Sequence, residues 1–170
     1  MSLMKKLLLA AFSMALFAVS FSSCGDDDDP TRPVISNLEP AEGQLLQIGE
    51  AIHFEVNLSD EIGLKGYSID IHNNFNGHGH KSTGSQVPEG TEPFTYTKSW
   101  TTDDVGESLD GRKEAYIHHH EIVIPLETGD KPTSPGDYHF ALYVTNKDGR
   151  QTVTFRNVVL TNEDVDDEHE

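Results

Sequence analysis

The sequence predicts an all-β domain built as an antiparallel sandwich of two sheets. Apolar residues recur at every second position in several segments between residues 33 and 161, and no segment there shows the 3.6-residue period of an amphipathic helix. Proline, glycine and aspartate separate these segments, as turns between short strands require. The 129 residues from Pro33 to Thr161 have the length of one domain, so we expect a single sandwich.

The alternation places one apolar face of each strand toward a core. Residues 52–58 alternate apolar and polar side chains, and residues 69–71 and 138–144 follow the same rule. The last strand shows an irregularity near Arg156 and Asn157. The predicted strands span residues 33–38, 50–59, 64–73, 94–100, 115–124, 137–145 and 151–160.

The start of the sixth predicted strand favours an immunoglobulin-like antiparallel β-sandwich. In that fold a tyrosine near the start of strand F bonds back to the backbone, and Gly136-Asp137-Tyr138 fits this tyrosine corner. Cys24 is the only cysteine, so the usual disulfide is not expected. Residues 73–114 exceed what a sandwich of about 100 residues needs. We therefore predict a long histidine-containing insertion between strands C and E, where long loops tend to carry function.

The N-terminal segment predicts export and lipid anchoring. Lys5 and Lys6 precede an apolar stretch over residues 7–21 that is short for a membrane span, which indicates a lipoprotein signal peptide over residues 1–23. The Phe-Ser-Ser-Cys sequence at residues 21–24 resembles a bacterial lipobox, in which the sulfur of Cys24 receives a diacylglycerol. The alternative is a small buried cysteine. We expect Cys24 to be lipidated and to hold the domain on a membrane.

Acidic segments flank the predicted domain. Residues 24–32 combine the lipidated cysteine with a run of four aspartates, which predicts a flexible acidic tether. This run resembles the acidic export signal of Bacteroidetes surface lipoproteins, which implies an outer-membrane lipoprotein exposed on the cell surface. Residues 162–170 are also acidic and predict a disordered tail.

The net charge excludes several classes of partner. The whole chain carries a formal charge of −17, from 12 basic and 29 acidic residues. Removal of residues 1–23 takes away two lysines and no acid, which leaves ten basic residues and a charge of −19. We therefore expect no nucleic-acid partner and no direct binding to anionic membrane surfaces.

Four segments resemble a known protein family. "PVISNLEPAEGQ", "FEVNLSDEIGLKGYSIDIH", "IVIPLETGD" and "SPGDYHFALYVTNKDGR" together are similar to an uncharacterised family of Bacteroidetes lipoproteins with an immunoglobulin-like domain. The similarity covers most of residues 33–160. It implies the fold and the location, and it implies no activity, because the turn motifs that carry it are shared by many extracellular modules.

The histidines are the chemically distinctive feature of the chain. Imidazole nitrogen is the commonest zinc ligand and also suits copper. Two histidine-rich segments, residues 72–80 and 118–120, have ligand-like spacing without matching a fixed zinc signature. We predict a zinc or copper site formed by six histidines: His72, His78, His80, His118, His120 and His139.

Strand alternation predicts which of these rings meet. Antiparallel pairing of strands C and F makes His72 and His139 neighbours on an outer face. If Ile122 faces the core, His118 and His120 lie on its side of the strand. A separate exterior group is then expected, formed by His53, His119 and Glu121.

The sequence favours binding over catalysis. It contains no H-E-x-x-H, G-x-S-x-G, P-loop or dinucleotide-binding pattern, so we expect no enzyme. The main hypothesis is a surface-anchored module that coordinates a transition metal. The alternatives are a structural spacer, or a glycan-binding or adhesion module that works with outer-membrane transport proteins. In the glycan hypothesis aromatic rings stack on sugars, with Phe75, Phe94, Tyr96 and Trp100 as the candidates.

Overall fold

A computed structural model describes residues 31–75 and 86–165 of the chain, and these residues form ten strands and no helix. No helix in these two ranges is long and apolar enough to cross a membrane. The strands are β1 (Val34–Glu39), β2 (Leu45–Gln47), β3 (Phe54–Ser59), β4 (Leu64–Asn73), β5 (Tyr96–Trp100), β6 (Glu114–His119), β7 (Glu127–Thr128), β8 (Lys131–Pro132), β9 (Gly136–Asn146) and β10 (Gln151–Thr161).

The strands form two main sheets, consistent with the predicted sandwich. One sheet has three strands in the order β1-β3-β6, and the other has five in the order β2-β10-β9-β4-β5. Pairing is antiparallel throughout, except that β2 runs parallel to β10. A short hairpin of β7 and β8 stands apart. The seven predicted strands are all present, and β2 and this hairpin are additional.

The core lies between the inward faces of the two main sheets. Phe54 of β3 lies 6.1 Å from Phe140 of β9 and 5.9 Å from Tyr67 of β4, measured between ring centroids. Ile69 and Ile117, also from opposite sheets, are fully buried. This contact surface follows from the two-residue alternation, because every second side chain of each strand points to the same face.

Tyr138 makes the tyrosine corner that the sequence predicted. Its hydroxyl donates a hydrogen bond to the carbonyl oxygen of Ser134 at 2.9 Å and accepts one from the backbone N–H of Phe94 at 3.1 Å. The ring is fully buried, and this burial raises the pKa of the phenol. The corner therefore ties the start of β9 to the segment that leads into β5.

A buried polar contact joins the two main sheets at one end of the molecule. The Oδ1 atom of Asp60, just after β3, accepts hydrogen bonds from the backbone N–H groups of Ile62 and Gly63 at 2.9 and 2.7 Å. Its Oδ2 atom accepts another from the side chain of Asn146, at the end of β9, at 3.0 Å. The Asn146 side chain also donates to the carbonyl oxygen of Thr31 at 2.9 Å.

The chain contains an irregularity just after β6. Phe54 pairs with His119, whereas the next bridge joins Ala51 to Val123. Two residues separate Ala51 from Phe54 but three separate His119 from Val123, so one strand carries an extra residue, as in a β-bulge. The extra residue reverses the alternation, and His119 and Ile122 both face the interior.

This bulge makes one prediction wrong. β6 ends at His119, five residues before the predicted end of the strand. His118 and His120 lie on the face opposite to that of Ile122, and His119 is buried with 8% of its surface exposed. His119 therefore takes no part in an exterior group with His53 and Glu121.

Candidate metal centre

Three histidines converge on the outer face of the three-stranded sheet. His118 belongs to β6, His120 follows that strand, and His53 precedes β3. The antiparallel register of β3 and β6 brings these ends of the two strands together. His118 and His120 are two residues apart and share a face, as side chains of an extended chain do. His53 reaches the same face, and we call this group the three-histidine cluster.

The rings lie close enough to share one ion. Their centroids are 4.9 to 5.1 Å apart in all three pairs. One nitrogen from each ring lies within 4.8 Å of the chosen nitrogens of the other two. Nitrogens bound to one zinc ion at the usual bond length lie about 3.3 Å apart in a tetrahedral arrangement. The rings would therefore have to turn toward one another for the three nitrogens to bind one ion.

The two nitrogens of His53 face different partners. Its Nδ1 atom lies 3.0 Å from Nε2 of His120, toward the cluster. Its Nε2 atom faces two carboxylates, with Oε2 of Glu39 at 3.5 Å and Oε2 of Glu55 at 3.7 Å. Metal-binding histidines commonly direct their second nitrogen to a carboxylate, which orients the ring and strengthens the ligand. Nδ1 is thus the ligand atom that this geometry favours.

The carboxylates occupy their positions because of strand register. Glu39 of β1 pairs with Glu55 of β3, and Glu55 pairs with His118 of β6. The three residues therefore form a row across the sheet, next to the row formed by His53 and His120. Directly paired side chains lie about 5 Å apart, so two carboxylates border the cluster and favour a cation there.

His118 contributes a buried nitrogen that lacks a partner. Its Nε2 atom is inaccessible to solvent and has no hydrogen-bond partner among the described residues. The ring stacks on Tyr116 at 6.4 Å and lies between the other two histidines. A buried polar atom without a partner is costly, and a metal ion at this position would satisfy it.

His119 has a structural role on the opposite face of β6. Its ring lies 4.8 Å from Phe54 and 5.2 Å from Trp100, between centroids. Burial lowers the pKa of His119, and Glu121 opposes that effect only partly. Nδ1 of this ring accepts a hydrogen bond from the backbone N–H of Glu121 at 3.4 Å, which places the proton of the neutral ring on Nε2.

His72 and His139 form a second group on the outer face of the five-stranded sheet. They are direct partners across β4 and β9, with ring centroids 5.4 Å apart, and the prediction that they are neighbours is confirmed. Nδ1 of His72 lies 2.5 Å from a carboxylate oxygen of Asp70, whose other oxygen accepts a hydrogen bond from the Thr97 hydroxyl at 2.8 Å. This pair lies on a different sheet from the three-histidine cluster.

Comparison with known proteins assigns the chain to a family. A family model described as a domain of unknown function, DUF4625, matches residues 22–161. The chain belongs to the DUF4625 family. The match ends at Thr161, the last residue of β10, so it includes every strand of the described fold. The expectation of an uncharacterised domain family is confirmed, and no curated protein matches the chain.

The DUF4625 domain distributes the six predicted ligands over separate places. His118 and His120 lie together in the three-histidine cluster, and His72 and His139 lie together on the other sheet. His78 and His80 lie outside the described residues, as does Cys24. The structure therefore does not bring the first two pairs into one site.

Sequence reasoning missed His53 as a partner of His118 and His120. Alternation from Phe54 already placed His53 on an outer face, and that prediction is confirmed. What the sequence lacked was the register of β3 against β6, which sets Glu55 opposite His118. A strand pairing predicted in advance would have identified the cluster.

Most of the aromatic residues of the glycan hypothesis are buried or packed against other side chains of the protein. Phe75 and Phe94 are buried, with 1% and 6% of their surfaces exposed, so they present no ring face to a sugar. Trp100 stacks on Tyr67 at 4.9 Å and carries the Lys98 ammonium 4.8 Å from its ring centroid. These contacts give no support to an aromatic sugar platform at these residues.

Proposed function

We propose that this DUF4625 domain binds a transition metal ion, zinc or copper, through His53, His118 and His120. The observation that carries the proposal is the convergence of three ring nitrogens within 4.8 Å on one sheet face. The buried, unpartnered Nε2 atom of His118 adds to it, because a ligand at that point would remove an energetic cost.

The donor set determines the class of metal. Three neutral imidazoles suit zinc and copper, whereas calcium and magnesium prefer oxygen ligands. Glu39 and Glu55 lie on the far side of His53, where they orient the ring and add negative charge near the cation. The domain would hold one ion per chain at this cluster.

The proposal extends to location and fold. We propose a lipoprotein anchored through Cys24 and exposed on the outer membrane, where it captures metal or is stabilised by it. The lipobox-like sequence before Cys24 and the acidic run after it support this location. The order of the strands in the two main sheets and the tyrosine corner support an immunoglobulin-like sandwich. Binding, rather than catalysis, is the proposed role.

The test is metal retention by the chain from Gly25 to Glu170, made without a histidine tag. This length contains all ten strands and the buried core, so it is expected to fold without the leader. The protein would be exposed to zinc or copper, dialysed exhaustively and measured by elemental analysis. We expect close to one ion per chain, and a melting temperature that falls when a chelator removes it.

Paired variants locate the site. His53→Ala/His118→Ala should abolish retention, whereas the matched variant His72→Ala/His139→Ala on the other sheet should retain the ion. No metal in the unmutated protein would overturn the proposal. Loss of metal only in the His72/His139 variant would overturn the assignment to the three-histidine cluster.

A further inference from the structure

A second pair of histidines lies on the outer face of the five-stranded sheet, away from the three-histidine cluster. His72 and His139 are direct partners in the register of β4 and β9, so their side chains leave the same face of the sheet. Direct partners on antiparallel strands have Cβ atoms about 4.5–5.5 Å apart. The two rings are therefore held near each other by the backbone of the sheet rather than by a loop.

The spacing of the two rings suits one shared metal ion. A ring centroid lies about 3.1 Å from an ion bound to its nitrogen at the usual zinc distance, so two rings on a tetrahedral ion have centroids about 5.1 Å apart. The centroids of His72 and His139 are 5.4 Å apart, and the ring planes meet at 86°. The strand pairing thus already sets the distance between the rings that a shared ion requires.

A carboxylate determines which nitrogen of His72 is available to a metal. Nδ1 of His72 lies 2.5 Å from Oδ1 of Asp70, and Oδ2 of Asp70 accepts a hydrogen bond from the hydroxyl of Thr97 at 2.8 Å. The ionised carboxylate only accepts hydrogen bonds, so the proton of the neutral ring lies on Nδ1 and Nε2 keeps its lone pair. Metal-binding histidines commonly have such a carboxylate partner, which orients the ring. His72 is therefore a constrained ligand rather than a freely rotating surface side chain.

A second carboxylate lies on the other side of the pair. Asn157 is the β10 partner of His139. Its side chain donates a hydrogen bond to Oε1 of Glu42 at 2.6 Å, and its backbone N–H donates one to Oε2 of Glu42 at 2.9 Å. Asp70 and Glu42 therefore flank the two rings with negative charge, which favours a cation between them.

We infer that His72 and His139 form a second metal site, which binds a divalent ion of the zinc and copper class more weakly than the three-histidine cluster. Imidazole suits these ions, whereas calcium and magnesium prefer oxygen ligands. Both rings are partly exposed, so water completes the coordination of the ion. With only two protein ligands, the ion is lost on exhaustive dialysis and does not add to the one retained at the cluster. The inference does not rest on the proposed function, because the two sites lie on different sheets and share no residue.

The experiment isolates the pair in the chain from Gly25 to Glu170 by using the variant His53→Ala/His118→Ala, which disables the three-histidine cluster. Zinc is the probe and is titrated in without dialysis, while NMR spectra follow the ring nitrogens of the histidines. We expect saturable binding of one zinc ion that shifts the ring resonances of His72 and His139. In His72 the resonance of Nε2 should shift more than that of Nδ1, because Nδ1 faces Asp70.

Further changes in that variant identify the ligands and the orienting residue. His139→Ala should weaken zinc binding about a hundredfold, because two tethered ligands bind far more tightly than one. Asp70→Ala should weaken it about tenfold, because the ring of His72 loses the carboxylate that orients it. Asp148→Ala is the matched control. It removes the same charge from an exposed turn and should leave the affinity unchanged.

Three results would count against the inference. Unchanged ring resonances of His72 and His139 at millimolar zinc would overturn it, and so would zinc binding that persists in full in His72→Ala/His139→Ala. Equal losses in Asp70→Ala and Asp148→Ala would mean that net charge, rather than ring orientation, sets the affinity. None of these results bears on metal retention by the unmutated protein after dialysis, so failure at the pair is distinguishable from failure of the proposed function.

Discussion

Replacement of Asp60 by alanine should destabilise the domain, because it removes the buried polar contact that joins the two sheets. Asp60 is 5% exposed, and its carboxylate accepts three hydrogen bonds, two from its own turn and one from Asn146. Alanine removes all three acceptors at once. The buried amide of Asn146 then keeps only the Thr31 carbonyl as a partner for its N–H groups.

The expected loss of stability is large. A hydrogen bond to a charged group contributes about 1.5–3 kcal/mol. The three bonds share one carboxylate, so their contributions do not add in full. We expect the free energy of unfolding to fall by about 3–5 kcal/mol, out of a total of about 5–15 kcal/mol for a domain of this kind.

Urea unfolding at pH 7, followed by tryptophan fluorescence, measures this loss. With a slope of about 2 kcal/mol per molar urea, the midpoint of Asp60→Ala should fall by about 2 M. The control is Asp110→Ala. Asp110 is exposed, and its carboxylate forms an ion pair with the ammonium group of Lys147 at 3.9 Å. Such surface pairs contribute about 0–1 kcal/mol.

Two results would refute the reasoning. A decrease below about 1 kcal/mol for Asp60→Ala would mean that water replaces the lost bonds at little cost. An equal effect of Asp110→Ala would mean that net charge, rather than the buried contact, sets the stability. The Asp60→Asn variant refines the test. It keeps the shape of the side chain, but it places an amide NH₂ group against the NH₂ group of Asn146, so this hydrogen bond is lost.

Three further predictions concern one or two side chains each. Burial lowers the pKa of His119. Below about pH 6.5 the unfolded chain therefore binds a proton that the folded chain excludes, and the stability of the fold decreases as the pH falls through this window. Urea titrations at pH 7.5 and pH 5 should show a smaller decrease in stability for His119→Phe than for the unmutated protein, and an equal decrease in the two would contradict this explanation. Glu39→Gln/Glu55→Gln should weaken zinc binding about tenfold or more, because the two carboxylates no longer orient the ring of His53. Glu114→Gln, a change on the same sheet face, should leave the zinc affinity unchanged. Competition titrations measure both affinities, and equal values for the two variants would exclude an orienting role. Tyr138→Phe should lower the free energy of unfolding by about 2 kcal/mol, because the N–H of Phe94 and the carbonyl oxygen of Ser134 lose their hydrogen-bond partner. A urea midpoint within error of the unmutated value would show that the tyrosine corner is not needed for stability.

Much of the fold could be predicted from local pattern. The two-residue alternation located the major strands to within a few residues, because it records which side chains one sheet face buries. The position of Tyr138 after Gly136 predicted the tyrosine corner, whose hydrogen bond spans only four residues. Local features of this kind depend on neighbours in the sequence and are readable from it.

The candidate site depended on a contact between distant segments. The sequence supplied the histidines and the outward direction of His53, but it could not show that β3 lies beside β6 in the register that joins His53 to His120. His119 is buried by the regular alternation of β6, and the one extra residue between His119 and Val123 returns Ile122 to the same interior face, so counting back from Ile122 assigned His119 to the wrong side.

The sequence by itself determined the strand pattern, the acidic charge and the supply of metal-binding side chains. Only the tertiary structure decided which of those side chains meet. The physical reason is that alternation assigns a side chain to a face only while the strand is regular. A bulge reverses the assignment for the residues that follow it, and the amino-acid sequence carries no clear sign of where the bulge lies. Strand register, which sets the distances between His53, His118 and His120, is a property of the folded sheet and of no single segment.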